Sequence, residues 1–272
     1  MTYQHLNVSI DGAVAWVTLN RPDRLNALNR QLIEELNAYF GGLSARSEAR
    51  VVILRGAGRA FCAGLDLKEF QESGFRKNVS EMLEFQKNVR DVMIAMRRCP
   101  QPVICIVQGA ASGGGFALAL ASDVRLATAD ARMNAAFIRL GLSACDVGVS
   151  YFLPRMVGAS VAAEYLLTGR FMDAQRASAL GLVSRVGTIA ELEAEARSLA
   201  QDMLSATPLG LRLTKEALGL AIDAGSMEAV IAMEDRNQVL CTQGEDFAEG
   251  IAAFLEKRPP RYGAQRNTGE TP

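Results

Sequence analysis

Four stretches in the first half of the chain are built around apolar runs: VAWVTLNRP (14–22), ARVVILRGAG (49–58), PVICIVQGA (102–110) and DVRLAT (123–128). Runs of this length, rich in Val, Ile and Leu and bounded by Gly, Pro or Asp, predict buried strands. Between them the spacing becomes helical. NRQLIEELNAYFGG (29–42) predicts a helix closed by glycines. Val79, Met82, Leu83, Val89, Met93 and Met96 follow a 3.6-residue period through a long helix at about 76–98. From Tyr151 onward, amphipathic segments from VAAEYLLTGR to EDFAEGIAAFLEKRP, punctuated by Gly, Pro or Ser, predict helix after helix. The layout is an α/β core over residues 1–200, a helical C-terminal region over 201–262 and a polar, mobile tail over 263–272. Met227, Val230, Ile231 and Met233 leave two readings open: they pack inward, or they form an oligomer interface.

Composition narrows the function classes. With 272 residues, 49% of them hydrophobic, the chain can bury one large core and a small appended region. Its 29 basic and 30 acidic residues leave no footprint for nucleic acid, so an anionic ligand must be met by local positive charge. The five cysteines are scattered and form no CxxC pair. That spacing predicts no metal site and no disulfide framework, but reduced thiols in a cytoplasmic protein. His5 is the single histidine, so a Ser-His-Asp or Cys-His mechanism would need an imidazole from the first strand. The N-terminus reads as a polar start followed by a strand, not as a signal peptide. No apolar run reaches the ~18 residues of a membrane helix, so no membrane partner is expected.

Two places share one form: strand, Gly-containing turn, helix. They are VVILRGAGRAFCAGLDLKEF (51–70) and PVICIVQGAASGGGFALAL (102–120). A helix start carries unpaired N–H donors and a partial positive charge, and glycine lets a ligand approach it. Two such turns on neighbouring strands can aim two N–H groups at one oxygen, as an oxyanion hole does. GAASGGG fits neither the dinucleotide fingerprint nor a P-loop. A second reading stays open, in which the glycines only permit close helix–strand packing.

AFCAGLDLKEF (60–70), GAASGGGFALALASD (109–123), VGASVAAEYLLTGRFMDAQRASALGLV (157–183) and NRPDRLNALN (20–29) together resemble the enoyl-CoA hydratase/isomerase, or crotonase, superfamily. The likeness runs from about residue 10 to 260. It implies an α/β fold with a crotonase-like core of repeated ββα units. It also implies a helical C-terminal region that builds homotrimers, often paired into hexamers. Members bind acyl-CoA thioesters, so coenzyme A enters as part of the substrate and no other cofactor is implied. The family pattern assigns the two oxyanion N–H groups to Leu65 and Gly114 and turns the Ala63 carbonyl toward the adenine of CoA. Gly64, Asp66 and Gly113 belong to the same two binding turns. Arg24, beside the family's usual basic position, is a candidate for the CoA phosphates. Lys257 and Arg258, ending the last helix, are candidates for reaching a neighbouring subunit's nucleotide.

The resemblance also exposes a departure. Hydratases of this family carry two glutamates that activate water, and here those positions hold Ala117 and Phe137. Neither can carry a proton, which argues against the two-glutamate hydration. Asp146 matches the segment where dienoyl-CoA isomerases of the superfamily place a catalytic aspartate. It reads either as the acid/base or as a helix N-cap. Asp66 reads as the cap of the helix at LKEF, and Cys62 and Cys145 as packing residues. Phe116, Met133 and Phe137 suit either an acyl pocket or the core. Three functions follow. The first is hydration or double-bond isomerisation with Asp146 as acid/base. The second is thioester hydrolysis on the same site. The third is a non-catalytic acyl-CoA-binding protein.

Overall fold

The computed structural model describes residues 3–45, 47–72 and 78–263. The chain opens with a hairpin of β1 (Leu6–Asp11) and β2 (Val14–Leu19), turning at Gly12. Helix α1 (Arg30–Gly42), capped by the Asn29 side chain on the Leu32 N–H, leads to β3 (Val51–Gly56). Then come α2 (Leu67–Glu72), α3 (Val79–Arg98), β4 (Val103–Val107), the short β5 (Ala110–Ser112), α4 (Gly114–Ala121) and β6 (Val124–Thr128). After β7 (Arg132–Asn134) come α5 (Val149–Val157), α6 (Ala159–Thr168), β8 (Met172–Asp173), α7 (Ala174–Ala179) and β9 (Arg185–Gly187). The chain ends in α8 (Ile189–Leu204), α9 (Pro208–Ala221), α10 (Met227–Thr242) and α11 (Glu245–Glu256).

The main sheet runs β1-β2-β3-β4-β6-β9, antiparallel only at the first pair. Its central strands are buried on both faces, which is why they read as continuous apolar runs. One face, with Val17, Leu54 and Cys105, packs on α1, α3 and α4. The other, with Trp16, Ile53, Ile104 and Leu126, packs on Leu192, Ala196 and Ala200 of α8. A second sheet, β5-β7-β8, sits beyond the end of β4.

All four apolar runs form strands at the expected places. The stretch from Tyr151 is not wholly helical, because β8 and β9 interrupt it. Strands of two and three residues are too short to show a period of their own. The inward reading of the C-terminal apolar residues does not hold: α10 buries no residue, and Met227 and Ile231 are 69% and 45% exposed. All of the tail beyond Gly263, and residues 76–77 of the long helix, lie outside the described residues.

Candidate active site

The site grows from the C-terminal ends of β3 and β4. Asn26 ties the chain leaving β3 to the 20–29 loop. Its backbone is left-handed (φ +55), a conformation asparagine tolerates. Its Oδ1 accepts the Arg21 N–H at 2.8 Å, and its Nδ2 donates to the carbonyls of Ala57 and Ala60 at 2.9 and 2.8 Å. The chain leaving β3 then runs alongside the chain leaving β4. Phe61 N–H donates to the Gln108 carbonyl, Cys62 N–H to Ala110 and Ser112 N–H back to Cys62. This pairing places residues 62–65 beside residues 112–115.

The two turns touch. A Cβ on Gly64 would lie 2.7 Å from the Ser112 carbonyl oxygen and 3.7 Å from Gly113 Cα. A Cβ on Gly115 would lie 2.1 Å from the Cys62 carbonyl oxygen. Gly113 adopts φ +52, ψ −117 as the N-cap of α4. Close packing therefore already demands glycine at 64 and 115, and backbone conformation demands it at 113. The packing explanation of the glycines holds, and that packing brings two helix-entry turns into contact.

The donors left over by that packing are specific. Leu28 N–H donates to the Gly64 carbonyl and Asp66 N–H to the Leu28 carbonyl, at 2.7 and 2.9 Å. In such a parallel bridge the intervening residue turns its own N–H away. Ala63 N–H is taken by the Leu25 carbonyl, and Gly113 N–H by Asn134. Among the described residues, the N–H groups of Leu65 and Gly114 have no internal partner. Gly114 is the first residue of α4, so its N–H stands at the helix's positive end.

Charged groups flank these turns. Asp66 caps α2, its Oδ1 accepting the Glu69 N–H, and its Oδ2 pairs with Arg21 at 3.0 Å. Burial works against the charged carboxylate, but the Glu69 N–H and the Arg21 guanidinium outweigh it and hold the Asp66 pKa below its ordinary value. The capping role read from the sequence is thus present. Arg24 is about half exposed beside Asp23 and lies within electrostatic reach of Asp66. Lys257 is exposed at the C-cap of α11, where Arg258 is tied to Glu249 and Glu256, and among the described residues no hydrogen bond or ion pair brings it to the two turns.

Where the family glutamates would stand, Ala117 is fully buried in α4 and Phe137 lies on a 3-10 turn, Ala136–Leu140. The Phe137 ring edge approaches the space above Gly113 to 3.4 Å. Phe116 and Met133 are 1% exposed and belong to the core; Phe137 keeps exposed surface. Cys62 is buried as expected, but Cys145 is exposed and does not pack.

Asp146 is not the N-cap of α5. That position is Gly148, which offers no side-chain cap. The aspartate is half-buried and its Oδ1 accepts the Val147 N–H and the Gln86 side-chain amide of α3. Burial raises its pKa, and these two hydrogen bonds offset only part of the rise. It lines a cavity of about 280 Å³ with Leu83, Gln86, Arg90, Gly148 and Ser150. The two helices that bound this cavity, α3 and α5, both pack on α4. Gln86 escaped sequence reasoning because it meets Asp146 across 60 residues of chain. Arg21 and Asn26 lay inside the NRPDRLNALN motif, where only the arginine three residues further on drew attention.

Comparison with known proteins places this architecture. The family model for enoyl-CoA hydratase/isomerase matches residues 9–265. A protein of Mycobacterium tuberculosis named probable enoyl-CoA hydratase EchA12 is 38% identical over 253 residues, covering 92% of this chain and 89% of its own. The solved enoyl-CoA hydratase of Bacillus anthracis superposes with TM-score 0.89 at 34% identity, over 95% of this chain and 99% of its own. That of Mycobacterium smegmatis gives TM-score 0.86 at 34% identity, over 94% and 98%. Fold, sequence and the paired turns agree: the chain belongs to the enoyl-CoA hydratase/isomerase family of the crotonase superfamily and is an enzyme of that class.

Proposed function

We propose that the chain binds an acyl-CoA thioester and moves protons on its acyl chain, by isomerising or hydrating a double bond. Leu65 and Gly114 donate their N–H groups to the thioester oxygen. The carbonyl gains negative charge as a proton leaves C2 or C4, and two fixed donors stabilise that enolate. Asp146 takes the proton and returns it to another carbon, or it activates a water that adds to the double bond. Residues 63–66 and Gly113 flank the thioester and the pantetheine. Arg24, and Lys257 of a neighbouring copy, meet the phosphates. No separate cofactor takes part.

The observation that carries this reading is the pair of unpartnered N–H groups on two turns in contact. The raised pKa of Asp146 supports a proton-transfer role, since an acid/base works best with a pKa nearer the working pH. The alanine and phenylalanine at 117 and 137 favour single-carboxylate chemistry over the two-glutamate route. Exposed Leu218, Leu220, Met227, Ile231, Phe254 and Leu255 on α9–α11 support a homotrimer, or a pair of trimers, formed through this region. No helix among the described residues is long and apolar enough to cross a membrane, and we place the enzyme in the cytoplasm.

The test is turnover of crotonyl-CoA and of a 3-enoyl-CoA by the full chain and by Asp146→Asn. The reading expects double-bond chemistry in the parent and its loss in the variant, with acyl-CoA binding retained. Full turnover by Asp146→Asn removes the aspartate from the mechanism. Release of free CoA alone indicates a thioester hydrolase, and binding without turnover an acyl-CoA carrier.

A further inference from the structure

One residue touches both of the turns that carry the unpartnered amides. Leu28 lies in the loop that enters α1, is 2% exposed and forms an isolated parallel bridge with Leu65. Its N–H donates to the Gly64 carbonyl and its carbonyl accepts the Asp66 N–H, at 2.7 and 2.9 Å. The main chain of Leu28 thus brackets Leu65 and fixes the direction of the Leu65 N–H.

Its side chain reaches the other turn. A Cβ on Gly114 would lie 2.7 Å from Leu28 Cδ1. From outside α4 and the neighbouring residues of the chain, only atoms of Leu28 come within 4 Å of that point. Gly114, unlike Gly113, has no positive φ, so its backbone does not require glycine. What leaves no room for a side chain there is the Leu28 methyl.

The segment that carries Leu28 is held from both ends. Arg21 donates from Nη1 to the Ala27 carbonyl and from Nη2 to Asp66 Oδ2, the latter at 3.0 Å. One guanidinium therefore joins the residue before Leu28 to the residue after Leu65. On the other side, Asn29 caps α1 through Oδ1 and donates from Nδ2 to Glu69 of α2 at 3.0 Å. Leu28 stands on a fixed base, with its isobutyl group between the two turns.

We propose that Leu28 is a positioning residue that sets the separation of the Leu65 and Gly114 nitrogens, holding the first through its main chain and the second through its side chain. This role presupposes that those two amides meet one thioester oxygen. Interiors are close-packed, so removing the side chain lets the start of α4 relax into the space left behind. A hydrogen bond of this kind spans only about 2.7–3.2 Å, so a small shift of Gly114 weakens one of the two donors. Substitution keeps the main-chain bonds of Leu28, so Leu65 stays in place and the effect falls on Gly114.

Difference infrared spectroscopy of butyryl-CoA, isotope-labelled at the thioester carbonyl and bound to the full chain, reads the polarisation of that carbonyl without turnover. In the parent the band lies at lower wavenumber than in water. Leu28→Ala loses a large part of that displacement. It also lowers kcat about tenfold on crotonyl-CoA or a 3-enoyl-CoA with little change in KM, less than the about 10²–10³ of losing a donor outright. Leu36→Ala, buried in the same core on α1, lowers the melting temperature but keeps the parental band and kcat. Gly114→Ala drives its Cβ into the Leu28 methyl and loses displacement too, whereas Leu28→Ala with Gly114→Ala regains part of it, because the new Cβ fills the space the leucine left. A parental band in Leu28→Ala, an equal loss in Leu36→Ala, or a double variant whose loss is the sum of the singles overturns the proposal. Should Leu28→Ala not fold, Leu28→Val, which has no Cδ, decides the same way. A parent band undisplaced from water removes the two amides as donors and the role of Leu28 with them; a displaced parent band that Leu28→Ala retains removes only the role of Leu28.

Discussion

Gly115→Ala tests how the two turns are held. The added Cβ would lie 2.1 Å from the Cys62 carbonyl oxygen, 2.8 Å from its carbon and 2.8 Å from Cys62 Cβ. An ordinary contact begins at 3.4 Å, so the start of α4 must move from residue 62 by about 1.3 Å. The obstacle is backbone that also accepts the Ser112 N–H, so no side chain can swing away. A productive N–H to oxygen distance spans only about 2.7–3.2 Å, so a shift of this size takes one of the two amides out of reach of a shared oxygen. Losing one oxyanion donor costs about 10²–10³ in kcat. Overpacking costs about 1–3 kcal/mol of stability. Gly158→Ala is the control. It has open space around its Cβ and only a positive φ to oppose it. That variant loses about 1–3 kcal/mol, the cost of a side chain at φ +84, ψ 156, and keeps its kcat. Steady-state kinetics and thermal melting on both variants read the result. Gly115→Ala with parental kcat and a parental melting temperature refutes the argument that packing of these turns sets the chemistry.

Three further outcomes follow from the side chains. The pKa of Asp146 is raised by burial above the ordinary 3.8, so its contribution to stability is fully present below that value and lost as pH rises through the folded pKa. Asp146→Asn therefore melts no lower than the parent at pH 7, while the rise of kcat/KM with pH that reports the aspartate disappears. A melting temperature several degrees below the parent's contradicts this. Lys215→Met leaves the Met96 and Gln101 carbonyls without their donor and removes a partner of Asp123. It should cost about 3 kcal/mol or more with kcat intact, measured by denaturant unfolding alongside kinetics. Burial pushes the thiols of Cys62 and Cys105 up to about 12, whereas Cys145 is exposed. A thiol reagent should label Cys145 first, Cys241 more slowly and Cys62, Cys99 and Cys105 only on unfolding; mass spectrometry of labelled peptides reads the order.

How much of this was legible beforehand depends on the length scale of each signal. The strands β2, β3, β4 and β6 announce themselves because they are buried on both faces and several residues long. The strands β8 and β9 do not, because two or three residues pair only when the rest of the fold offers an edge. Leu65 and Gly114 were reached through the family's motifs. No propensity reveals that a leucine's main-chain N–H is left over, since that follows from Leu28 bonding on either side of it. Asp146 was visible as a candidate acid/base or helix cap, but not its contact with Gln86, which needs α3 and the α5 entry side by side. The cap reading of Asp146 failed by two residues, because Gly148, not the aspartate, is the N-cap of α5.

The central claim is that Leu65 and Gly114 present their N–H groups to one oxygen. A crystal structure of the full chain with a bound, unreactive acyl-CoA tests it most directly. The account predicts the thioester oxygen within about 3 Å of both nitrogens. A thioester bound elsewhere, or an oxygen reached by only one of the two amides, contradicts it.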